Sequence, residues 1–286
     1  MRKVIFLHIM IIVPVLFLLV SCSSAPKNPG DVYSQRTQAE KMLETGNREA
    51  DRGSYETALL LMNDSKRLAI LVDDPSLRIR TGLSLGNILF NIGLREEAFT
   101  EWDTALTEAE ARGTPELAAV SRVHIIRGRL LSGGMDARLV LDQVNREVNA
   151  IKSDELYAAF SWLVIGLSQR ELGLYREAEV SVRRSLNIHE KGLNLEQAAY
   201  DWFLIASIRS LSGSYDSAIQ ALQSAITLDR RVEDSWGLAS DWRGLGDVYK
   251  KAGRNAESRE AYLRAASIYR AMGNDAEARA MEARIE

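Results

Sequence analysis

The chain of 286 residues is 46% hydrophobic and 26% charged with five prolines, an ordinary globular composition that excludes a disordered tail or a collagen-like fibre. Lysine and arginine total 36 against 39 aspartates and glutamates, and the resulting charge of -3 removes the electrostatic basis for bulk nucleic-acid binding. A lone cysteine, Cys22, excludes an intrachain disulfide and a cysteine-based zinc site, so packing must hold the fold together.

At the N-terminus, Arg2 and Lys3 precede an apolar run from Val4 to Val20 and then the small residues from Ser21 onward, the order of an export signal. Leu19-Val20-Ser21-Cys22 resembles the lipobox of bacterial lipoproteins. That resemblance implies diacylglycerol on the Cys22 thiol, cleavage before it by a dedicated peptidase, and further acylation with a fatty acid such as palmitate. Several acyl chains on one cysteine make a stable anchor where a single chain binds only marginally. Residues 1–21 are then the signal peptide and 22–33 the lipidated cysteine with a flexible tether, in which two prolines and a glycine interrupt any apolar period. Ser23 rather than aspartate follows the cysteine, which by the same resemblance favours the outer membrane in a host with two membranes. Two alternatives stay open. One is an uncleaved anchor, for which Val4 to Val20 lies at the short limit of about 17 residues and is weakened by His8 and Pro14. The other is cleavage by the ordinary signal peptidase, leaving a free thiol.

Beyond residue 34 the chain is periodic. Gly53, Gly93, Gly133, Gly173, Gly213 and Gly253 recur every 40 residues, and three of them open G-x-Y-x-x-A: Gly53-x-Tyr55-x-x-Ala58, Gly173-x-Tyr175-x-x-Ala178 and Gly213-x-Tyr215-x-x-Ala218. Glycine there can end one helix in the left-handed conformation, and the alanine lets the next helix pack closely. A second register, Ser34, Asp74, Thr114, Asp154, Asn194, Asp234 and Asn274, supplies N-cap residue types, with Pro75 and Pro115 following at the first helical position. Each cycle therefore predicts a cap, a helix A of about 18 residues, a glycine turn and a helix B of similar length.

The last cycle reads Trp242-x-x-Leu245-Gly246-x-x-Tyr249, then Gly253, Tyr262 and Ala265. Trp162, Gly166, Gly173, Tyr175 and Ala178 repeat the pattern, as do Trp202, Gly213, Tyr215, Ala218 and Ala225, and more loosely Gly86, Gly93, Ala98, Trp102 and Ala105. This resembles the tetratricopeptide repeat (TPR) signature. The resemblance implies an all-α, right-handed superhelical solenoid of about six 40-residue hairpins over 34–273, finished by a polar C-terminal capping helix at 274–286. The family's usual repeat is 34 residues, so both helices should be longer here. The third repeat departs from the pattern: Ile126 and Arg138 replace small residues and Gly133-Gly134 doubles the turn, which predicts a loosened or bent hairpin.

Catalytic chemistry finds little footing. His8, His124 and His189 have no metal-ligand spacing, and His124 reads as a packed or surface histidine. Gly133-Gly134 lacks the lysine of a phosphate loop, and pairs such as Glu96-Glu97 and Glu108/Glu110 sit on helices rich in arginine, as solvated faces do. The expectation is a non-enzyme with no cofactor and no metal.

In the TPR family helix A lines the concave face, and the resemblance carries that role to positions 2, 5, 9, 12 and 13 of each cycle, with the glycine as position 15. Asn47, Asn87 and Arg127 hold position 9; Phe160, Leu163, Arg170, Tyr200 and Phe203 would gather as aromatic anchors beside a charge in the fourth and fifth repeats. Leu43 and Leu83 stand where some relatives carry the lysines of a carboxylate clamp. An apolar stripe at helical spacing is equally the pattern of core packing, and both readings stay open. The expected function is a membrane-anchored TPR scaffold lipoprotein mediating protein–protein interactions in a bacterial cell envelope, its partner another envelope protein. The alternative is a component that binds a hydrophobic small molecule or lipid for an envelope transporter.

Overall fold

The computed structural model describes residues 34–285 apart from 153; the signal, Cys22 and tether assignments lie outside the described residues. Among the described residues every regular element is helical. Six hairpins follow one another: α1 Gln35–Asp51 with α2 Tyr55–Leu71, α3 Pro75–Asn91 with α4 Arg95–Ala111, α5 Pro115–Leu131 with α6 Ala137–Glu147, α7 Glu155–Glu171 with α8 Tyr175–Lys191, α9 Leu195–Leu211 with α10 Tyr215–Val232, and α11 Ser235–Lys251 with α12 Asn255–Ala271. A last short helix, α13 Asp275–Glu282, caps the stack. Each helix packs mainly on its sequence neighbours, and successive A helices also touch (α1 with α3, α3 with α5, α5 with α7, α9 with α11), so the described residues form an all-α solenoid of stacked hairpins.

Small residues on helix A and large ones on helix B interlock inside each hairpin. A Cβ added to Gly86 would lie 2.3 Å from Trp102 Nε1, one on Gly166 2.5 Å from Val182 Cγ2, and one on Gly246 2.6 Å from the Tyr262 ring. Trp102 is fully buried and donates from Nε1 to the Leu83 carbonyl at 3.2 Å, so the ring is satisfied at its polar edge as well as packed.

The third hairpin breaks this rule. Ile126 fills the small-residue position and the facing residue of α6 is the exposed Asp142, so large and small are exchanged and the plug is polar. Consequently α6 is cut to 11 residues against 17 for its counterparts α2, α4, α8 and α12; it starts late, after a loop capped by Asp136, and ends in a 3-10 turn at Val148–Ala150.

The cap register is realised at Asp74, Asp154, Asp234 and Asn274, whose side chains accept first-turn N–H groups. It fails at two sites. Thr114 turns its hydroxyl back to donate to the Ala109 carbonyl at 3.0 Å, and Asn194 makes no cap hydrogen bond. The core falls into three clusters: one across α1–α3, a long central one from Ile79 to Ala261, and a C-terminal one in which Ala278 and Met281 of α13 cover Tyr262 and Tyr269.

Candidate functional site

The A helices bring Asn87, His124 and Phe160 into one line across α3, α5 and α7. His124 Nδ1 lies 2.9 Å from Asn87 Oδ1, and its ring stacks on Phe160 at 4.2 Å between centroids. Burial, helped by the Arg127 charge, pushes His124 down to about 3, so it is a neutral, packed side chain and not a base. Arg127 places its guanidinium 5.8 Å from the Phe160 centroid, and its Nε is buried without a hydrogen-bond partner. Asn47 stands apart, exposed on α1.

Further along, Arg170 on α7 pairs with its neighbour Glu171 at 2.7 Å and reaches across to α9, where its Nη1 donates to Ser207 Oγ at 3.5 Å. Tyr200 is 43% exposed and stacks on the half-buried Phe203 at 6.4 Å. Phe160 thus ends a run of rings that continues through His124 to Trp102, Phe90 and Phe99, and Tyr200 pairs with Phe203. Leu163 and Leu167 are buried in the central core.

Position 5, apolar in the first five repeats, is accordingly core in α1, α3, α5 and α7, where Leu43, Leu83, Val123 and Leu163 are buried; Phe203 and Arg243 at the later end are half-buried. What the sequence reading did not identify is a cavity of ≈ 350 Å³ lined by Leu130, Leu131, Met135, Ala137, Leu167, Arg170 and Glu171. It opens where the loop between α5 and α6 replaces the tight turn of the other hairpins. The signal for it was Gly133-Gly134, which marks a longer turn but not the space beneath. An apolar floor with the Arg170–Glu171 ion pair at its edge suits an aliphatic or aromatic side chain next to a polar group. Among the described residues no group of three or more His, Cys, Asp or Glu is arranged to hold a metal ion.

Residues 196–271 match the tetratricopeptide repeat family. The fold of the chain is shared with solved structures of low sequence identity. A Rap protein complexed with Competence and Sporulation Factor is 15% identical, with a TM-score of 0.59 over 88% of this chain and 74% of that one. BtubC (BKLC) from P. vanneervenii is 16% identical, with a TM-score of 0.56 over 79% and 92%. A Podosopora anserina protein of nearly identical kinesin light chain TPR-like repeats is 15% identical, with a TM-score of 0.52 over 70% and 97%. No curated protein sequence matches the chain. The match at 196–271 and the shared fold together define the class by its architecture: an all-α solenoid of TPR-like hairpins.

Proposed function

We propose that the protein is a lipid-anchored TPR scaffold of a bacterial cell envelope that captures a segment of another envelope protein between its third and fourth repeats. The observation that carries the binding site is the cavity beside Arg170, which couples an apolar floor to a half-buried cation. A partner would insert an apolar side chain there and set an adjacent carboxylate on Arg170, the pairing found at interaction hot spots. Arg127, with a buried unpartnered Nε, offers a second cationic contact. The solved Rap protein is a complex with Competence and Sporulation Factor, which supports a ligand-binding role for this fold. The anchor rests on Cys22 in its lipobox-like setting and would raise the effective concentration of the scaffold at the membrane.

The test is crosslinking in native envelopes followed by mass spectrometry of what co-purifies with the chain. Arg170→Glu and Met135→Trp, each verified as folded by circular dichroism, should lose the partner recovered with the unaltered protein. A partner that survives both substitutions places binding elsewhere. Incorporation of labelled palmitate should disappear in Cys22→Ala, and its persistence would refute the anchor.

A further inference from the structure

Along the stack each hairpin touches its neighbours, yet the turn between α1 and α2 also reaches the starts of α9 and α11. Gln197 donates from Nε2 to Asp51 Oδ2 at 2.8 Å, although the two residues are 146 positions apart. The indole of Trp236 lies against Gly53, so close that a Cβ on this glycine would sit 1.8 Å from Trp236 Cδ1 and 2.0 Å from its Nε1. Trp236 packs on the C-terminal core through Tyr269, at 5.7 Å between centroids, whereas Gly53 joins the two helices of the N-terminal core. The two ends of the stack, joined along the chain through the central core, therefore also meet directly across the coil.

The charges at this joint are unbalanced. Asp51 faces Glu196 and Asp234, Tyr55 faces Asp51 and Asp234, and Asp229 and Asp241 stand behind Asp234; Arg52 is the cation directed at Asp234. We propose that this contact is a releasable clasp, closing the superhelix around its inner face when Gln197 and Trp236 engage the first turn and opening as the joint gains negative charge. One exposed hydrogen bond and one indole face are a small tie for a solenoid whose hairpins are otherwise held pairwise, so a change of one charge can tip it. The crevice and then the Glu196 carboxylate raise Asp51 above the usual carboxylate range; more than a third of Asp51 still faces water, which screens part of that effect. Burial raises Asp234 as well. A carboxyl group with a raised value when closed stabilises the closed form most below its ordinary range and loses that stabilisation as pH rises through the raised value. Acid therefore favours closure and alkali favours opening.

The experiment is electron–electron distance measurement on the full chain carrying Cys22→Ser, with spin labels on Glu56→Cys and Lys191→Cys. At pH 5 a single short distance is expected. The ratio of short to long distances should fall by about threefold or more on going to pH 8, and Gln197→Glu, which places a further carboxylate beside Asp51, should lower it further at pH 8. Trp236→Ala should open the coil outright. If Trp236→Ala loses helicity, Gln197→Glu decides alone. A long distance at pH 5 in the otherwise unaltered chain, or a distribution that neither Gln197→Glu nor pH moves, overturns the clasp. The readout needs no partner, so it is independent of the binding proposal.

Discussion

Asp229 and Asp241 occupy the register that His189 and Asp201 hold one repeat earlier, and the exchange of histidine for aspartate changes the electrostatics of the interface. In the earlier pair His189 Nδ1 lies 2.7 Å from Asp201 Oδ2, and both side chains are buried. In the later pair two buried carboxyls face each other with Asp234 close by, and Asp241 Oδ2 has no hydrogen-bond partner. Burial first, and the neighbouring carboxylate second, push both acids of this pair upward, so the pair keeps a proton at neutral pH. Because the folded values lie above the unfolded ones, the pair's stabilisation is complete below the unfolded value of about 4 and is lost as pH rises through neutrality. Asp241→Asn keeps the shape and removes the titration. It should therefore be more stable than the unaltered chain at pH 8.5 by about 1–3 kcal/mol, a gap that scanning calorimetry would see shrink toward pH 5. A gap that widens toward acid would show that the pair is held ionised by some other charge. None of this was legible in the sequence, where the two aspartates stand 12 apart on different helices and match no metal or catalytic spacing.

At the scale of the helices, the sequence was most legible where one residue type has one physical job. The 40-residue glycines take positive φ, from 70° at Gly133 to 88° at Gly93, and end helix A as predicted. The junctions between hairpins use the same left-handed geometry, with Gly113 and Gly273 at two of them, but Asp73, Leu193 and Glu233 adopt it at φ 48°, 57° and 60° at three others, where residue type gave no warning. The departure of the third repeat was also visible in Ile126 and Gly133-Gly134, while the cavity that results was not, because it depends on how far α6 recedes. That helix buries only Val140 and Val144, and its contact with α5 is the thinnest within any hairpin. Amide hydrogen exchange should therefore find α6 the least protected of the interior helices, opening without the rest of the stack. Protection of α6 equal to that of α4 and α8 would mean that the third hairpin is as firmly built as its neighbours.

For the whole molecule, stacking makes stability a sum of hairpins and interfaces, so an end without a cover exposes the apolar flank of the last hairpin. At the C-terminus that cover is α13, eight residues whose Ala278 and Met281 are buried against a cluster containing Tyr262 and Tyr269. Its start is fixed by Asn274, which accepts from the Glu277 N–H at 3.2 Å, and its far end is tied back by Arg284, whose Nη1 donates to Asp247 Oδ1 at 2.7 Å. After Gly273 the sequence continues for a part-cycle that is polar on one side. Truncation after Gly273 removes the Met281 side chain from the core and returns part of Tyr262 and Tyr269 to water, a loss of about 2–4 kcal/mol by the usual cost of losing a buried methionine and its neighbours' cover. Thermal unfolding should then begin in the last hairpin and spread inward, giving a broader transition than that of the full chain. A lone Met281→Ala should reproduce most of the loss with the charged contacts intact. If truncation lowers stability and Met281→Ala does not, the cap acts through Arg284 and Asn274 and not through the apolar cover.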